Sequence, residues 1–303
     1  MPLIAVCAAW AVFWGSWSAL LPAVKLELGV SAADLGPALS AVPVGAMPAM
    51  ALTGRLARSR ERTALLAVTA AFALSVAGVG PAGSLGADVR TVLAAVAAII
   101  LVTSLSVLTL RVERGPVASP EHGDRGRVWR TAAVLGALAA CALIIENAVE
   151  QWSVLLLEEH RGASPLVASA APSVSMAMLT AGRLVAQALP RLSLRTMYLV
   201  AGAGGGAGMA LAGLGGHVWT SPAGFAVTGL ALGPLVPALL SRASVDDPSG
   251  TLVWGVSTIS YTAFVAGPLL VAALNGGLGL PAALAVLGLL GLPLVARFAA
   301  ERP

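Results

Sequence analysis

The sequence predicts an all-α membrane protein of about ten transmembrane helices, and three observations carry that prediction. Apolar residues make up 58% of the 303 positions, while charged residues make up only 11%. A water-soluble globule carries roughly 25% charged residues, so this chain has too few to cover a solvated surface. The apolar residues arrive in blocks of about twenty, the length a helix needs to cross hydrocarbon. The eighteen Lys and Arg residues fall between those blocks or at their ends. Soluble enzymes, nucleic-acid binders and disordered chains all fit this pattern poorly. A transmembrane β-barrel is excluded as well, because its strands alternate in polarity over about ten residues.

In order along the chain, the first block covers residues 3–24 and lacks the basic segment that opens a signal peptide, so it is read as a retained helix. A polar linker, 25–34, leads to the second block, 35–53. Arg55, Arg58, Arg60 and Arg62 then form the densest basic cluster. The third and fourth blocks are 63–80 and 89–110. Residues 111–130 combine Gly115, Pro116, Pro120, Gly123 and Gly126 with mixed charges, which is linker composition. Six further blocks follow, at 131–157, 166–189, 196–214, 222–240, 252–274 and 280–296. The expected organisation is an incomplete helical bundle over 1–110, a linker over 111–130 and a six-helix bundle over 131–303.

Orientation follows from charge. With a cytoplasmic N-terminus, fifteen Lys or Arg fall on the cytoplasmic side and three, Lys25, Arg90 and Arg161, on the other. That bias predicts both termini, and the 111–130 linker, on the cytoplasmic face of the cell membrane.

The polar residues inside the blocks are the functional candidates. Glu146 and Glu150 are one helical turn apart and share a face, with Asn147 beside them. An intramembrane carboxylate costs on the order of 3 kcal/mol on insertion scales, so it normally faces a cavity or a partner. The sequence shows no intramembrane Lys or Arg to pair with either. The competing reading is a span that ends early, with Glu150 at the headgroups beside an interfacial Trp152. Trp14 lies in an aromatic stripe with Trp10 and Trp17 that either stacks on a substrate or packs against helices and lipid. Ser257, Thr258, Ser260, Tyr261 and Thr262 make the ninth block unusually polar. Those hydroxyls either line a polar path or bond back to their own helix. The stretch 202–208 (GAGGGAG) superficially matches a dinucleotide fingerprint, but no strand precedes it, so its GxxxG spacings read as close helix packing. The scattered His122, His160 and His217, with Cys7 and Cys141, compose no metal motif, and no nucleotide loop or catalytic constellation appears. No metal or cofactor and no enzymatic activity are expected.

Residues 15–25 (GSWSALLPAVK) and 28–36 (LGVSAADLG) resemble the first helix and first outer loop of the major facilitator superfamily, and more narrowly its fucose-permease-like and YbjJ-like bacterial branch. Gly54 and Arg55 sit where that superfamily carries its basic motif after helix 2. Gly182 and Arg183 sit at the corresponding place after helix 8. Residues 146–153, 229–237 and 257–268 are similar to helices 7, 10 and 11 of that branch. The resemblance implies a two-bundle secondary transporter with a midplane site between halves. It also implies a cytoplasmic gate motif at Gly54, Arg55, Gly182 and Arg183. Two departures stand out. Arg58 and Ala186 occupy the places of the motif aspartates, and the first half has about four spans where the superfamily has six.

The expected function is secondary transport of a small solute, a sugar or a drug-like compound, with the proton as candidate coupling ion. Glu146, Asn147, Glu150, Trp14, Ser257 and Tyr261 are the expected pathway residues. The expected surroundings are substrate and lipid, without nucleic acid. The alternative is a degenerate or truncated relative that packs as a bundle but transports nothing.

Overall fold

A computed structural model describes residues 125–189 and 192–300, together with scattered positions between 21 and 40. The chain divides into two units, one of residues 1–31 and 41–115, the other of 32–40 and 116–303. Every element over the continuous described stretch is helical. Six helices there are long and apolar enough to cross a membrane: α1 (Arg125–Arg161), α2 (Pro165–Ala188), α3 (Leu194–Leu214), α4 (Thr220–Asp246), α5 (Thr251–Leu278) and α6 (Leu280–Ala300). This is the make-up of a multi-pass membrane protein. The four blocks expected before residue 111 fall almost wholly outside the described residues. Lys25 and Leu26, expected in a linker, are helical, and Gly29 makes the turn that follows with φ of 63°, a conformation glycine adopts freely.

The linker expected over 111–130 gives way to helix at Arg125. The last turns before residue 131 are held by Trp129, which meets Trp254 of α5 edge to face at a centroid distance of 5.9 Å. Short connections then force each helix to run back beside its predecessor. Gly162 (φ 63°), Gly250 (φ 79°) and Gly279 (φ 78°) supply three of those reversals in the left-handed region.

The bundle is built on α1 against α5, α2 against α4, and α3 against α4 and α6. Between α1 and α5 the backbones approach at glycines: Gly136 lies against Ile259, Gly255 against Ala132, and Gly267 against Ile144 and Asn147. In α3, the glycine run packs on both sides. Gly202 and Gly206 face the backbone of Gly291 and Gly288 in α6, while Gly208 faces Gly224 and Thr228 in α4. The helix-packing reading of 202–208 is the observed one. In lipid, association rests on such close packing, because hydrocarbon provides no hydrophobic drive between helices.

Residues 35–40 belong to the second unit. Ser40 Oγ donates to Gly36 O and to Val265 O of α5, at 2.9 Å each, and Gly36 lies against Pro268 and Ala272.

Candidate functional site

Helix α1 contains no proline and runs unbroken from Arg125 to Arg161. At 1.5 Å per residue, Glu150 lies about 16 Å and Glu146 about 22 Å from its Arg161 end. The helix continues past Glu150 for three further turns, and Trp152 is 0% exposed, packed inside the bundle.

The C-terminal end of α1 is fixed by Arg161. Its Nη2 donates to Gly213 O at 2.7 Å, at the end of α3, and its Nε donates to Ser221 Oγ at 3.3 Å, at the start of α4. Ser221 Oγ in turn donates to Ala212 O at 2.8 Å. Three helices are thereby held at one level, with α1's polar segment suspended below it.

That segment has two faces. Glu146, Glu150 and Ser153 recur at i, i+4 and i+7 and form one stripe. Both carboxylates are half-buried, and Ser153 is fully buried with no hydrogen-bond partner for its Oγ. Asn147 and Gln151, also one turn apart, point about 100° away, toward α5. Asn147 is buried, its Oδ1 near Gly267, and neither side-chain atom finds a partner. Gln151 Oε1 and Trp152 Nε1 are likewise buried and unpartnered. Buried polar groups are normally satisfied, because leaving one unpaired costs about 1–3 kcal/mol. Several such groups lie together on two turns of one apolar helix.

Arg183 sits on α2, the helix packed beside α1, near enough for its charge to be felt at Glu146 and Glu150, and among the described residues neither carboxylate forms an ion pair with it. It lies inside the block expected over 166–189, about one turn before the end of α2 at Ala188. Its Nε donates to Gly233 O at 3.1 Å. That carbonyl is available because Pro237, four residues on, has no N–H to offer it. Gly182, the other motif residue, is buried against the Leu230 carbonyl, which Pro234 leaves free in the same way. These two residues therefore splint the interruption of α4 at 233–234. Gly54, Arg55 and Trp14 lie outside the described residues.

The α5 hydroxyls divide. Thr258 donates to Trp254 O at 2.9 Å, Ser260 to Ser257 O at 3.0 Å and Thr262 to Ile259 O at 2.6 Å, so these three bond back to their own helix. Ser257 and Tyr261 share another face, and Tyr261 is 40% exposed beside Phe264. Neither sits level with the carboxylates. The pairing of Gly136 with Ile259 places Tyr261 about two turns nearer the N-terminal end of α1 than Glu146.

The residues brought together are thus Glu146, Glu150 and Ser153, flanked by Asn147 and Gln151 and faced by Arg183. Ser153, Gln151 and Arg183's reach were not among the sequence's expected pathway residues. The i+7 spacing of Ser153 from Glu146 was readable; Arg183's approach was not. Among the described residues no cluster of His, Cys, Asp and Glu could hold a metal ion. Compared with models of protein families and with curated proteins, the chain matches none.

Proposed function

We propose that the chain is a secondary transporter of the major facilitator type, which moves a small solute across the cell membrane and couples it to a proton. The observation that supports this is the stripe on α1, with two half-buried carboxylates beside buried, unpartnered amide and hydroxyl groups. Such groups are expensive in a span and are retained where they face a pathway. A carboxyl at Glu146 can exchange a proton as its access to water changes. Substrate binding beside it then links solute and proton movement, with rocking of one bundle against the other giving alternating access. Both termini lie in the cytoplasm in this reading, as the arginine bias requires.

The test is uptake into proteoliposomes with and without a proton gradient. Glu146→Gln removes the titratable proton and is expected to abolish gradient-driven uptake while membrane insertion persists; Glu150→Gln acts more weakly. A Glu146→Gln variant that transports as well as the parent refutes the assignment. The second reading, an inactive relative, draws on Arg58 and Ala186 in place of the motif aspartates. It takes over if the parent moves no solute at all.

A further inference from the structure

Helices α3 and α6 run antiparallel, and both depart from α geometry at the same level. Their seam sets Gly213 against Pro281 and Ala285, Gly206 against Gly288, Gly202 against Gly291, and Arg195 against Phe298. In α3, Val200–Gly204 is a π turn; in α6, Gly288–Gly291 is a 3-10 turn. The 3-10 turn has its cause in the sequence. Pro293 has no N–H for Leu289 O, and the Leu292 N–H, one residue earlier, donates to that carbonyl instead. Facing it, residues 200–206 (VAGAGGG) hold four glycines, the poorest helix former after proline. Interruptions of this kind inside a helix mark hinges. The joint divides the pair unevenly. Beyond it lie Leu194–Leu199 and Leu292–Ala300, with one buried residue each, Tyr198 and Leu294. On the other side Gly205–Leu214 has five and Leu280–Leu287 four, so the end segments are the thinly anchored part.

The end segments are nevertheless tied to each other. Arg195 Nε donates to Phe298 O at 3.1 Å, and its guanidinium lies over the Phe298 ring, 4.3 Å from the centroid. Phe298 O belongs to the last turn of α6, where carbonyls lack helical donors and a cation is favoured. The geometry points to a hinged flap. Leu194–Leu199 and Leu292–Ala300 swing as one body about the π turn and the 3-10 turn, drawing Tyr198 and Leu294 out of the bundle. A region with few buried contacts opens at lower cost than the core. The Arg195 clasp makes the two openings one event instead of two separately fraying ends. The flap sits at the end of the bundle opposite the Arg161 bonds to Gly213 and Ser221, and it opens and closes that end. It is a property of the α3–α6 pair and does not rest on the transport reading.

Hydrogen exchange on the full chain purified in detergent tests the flap. In the parent, the amides of 196–199 and 294–300 are expected to share one protection factor to within about threefold. That factor should lie at least about tenfold below those of 208–214 and 284–287, with the step at the joint. Tyr198→Ala is expected to speed exchange severalfold in both end segments alike. Adding Arg195→Ala to it should break the transmission, leaving 196–199 exchanging faster than 294–300. Protection that declines gradually toward each helix end is fraying, and overturns the flap. So does a Tyr198→Ala effect confined to 196–199. The parent profile needs no variant, so a misfolded substitution does not spoil the test. Uptake into proteoliposomes reads the transport proposal separately. A stepped, shared protection profile without uptake leaves the flap standing, and uptake without the step sinks the flap alone.

Discussion

Replacing Gly208 by alanine tests whether close backbone packing in α3 holds the bundle together. A Cβ at Gly208 meets Gly224 O at 2.6 Å and Thr228 N at 2.8 Å, and also the Thr228 hydroxyl. Ordinary contact begins near 3.4 Å, so α3 and α4 must part by about 1 Å. Two of the obstacles are backbone atoms, which cannot swing aside. Overpacking of this kind costs about 1–3 kcal/mol, while alanine returns about 0.5–1 kcal/mol to the helix itself. The net loss is up to about 2.5 kcal/mol, with a midpoint of about 1 kcal/mol, which for a unit of this size lowers the melting temperature by about 2–4 °C at the midpoint and about 10 °C at most. Gly276→Ala in α5 is the control. It has nothing within 4 Å of its added Cβ, so only the helix gain remains and Tm rises slightly or stays. Thermal unfolding of both variants in the same detergent reads the difference. Equal melting temperatures for the two would refute the packing argument, since propensity alone treats them alike.

Three further outcomes are expected. In a chain with Cys7 and Cys141 replaced by alanine, single cysteines at Pro248 and Ala163 should react with an impermeant maleimide from opposite sides of the membrane; labelling of both from outside defeats the topology. Arg161→Ala removes the bonds to Gly213 and Ser221 and should cost about 1–3 kcal/mol, read as faster hydrogen exchange over residues 213–222, and unchanged exchange there contradicts the clamp. Asp247 accepts from Ser249 N at 3.0 Å and Leu252 N at 2.8 Å, and the Ser249 hydroxyl and these amides hold its carboxyl below the ordinary range. Its folded pKa is lowered, so its stabilisation is present above the unfolded value of about 4 and is lost as pH falls through the lower folded value. Protection of the Leu252 amide should therefore decline only below about pH 4 and be low at neutral pH in Asp247→Ala; protection that already fades by pH 6 in the parent argues against the cap.

The sequence by itself determined the class of molecule and, over the described residues, where the helices lie. Hydropathy is a local property, and a run of apolar residues has few ways to exist in lipid other than as a helix. Six blocks expected over 131–296 became six helices, with edges moved mainly where polar residues extend a helix beyond hydrocarbon, as at Arg125–Arg130 and Glu158–Arg161. Spacing also determined that Glu146 and Glu150 share a face, because helical period fixes neighbours on one helix.

Tertiary structure decided which faces meet. A helix apolar on nearly every side carries no stripe to say which way it turns. Nothing local told that Gly202 and Gly206 would meet α6 while Gly208 met α4, or that Trp152 would be buried. The α5 hydroxyls were undecided between two uses, and only the packed helix showed Thr258, Ser260 and Thr262 turned back on their own carbonyls. Arg183 read as part of a basic motif near the end of its span, while two prolines on another helix free the carbonyls that it and Gly182 cover. That pairing joins residues fifty positions apart. It depends on the rotation and depth of α2 against α4, which no single helix encodes.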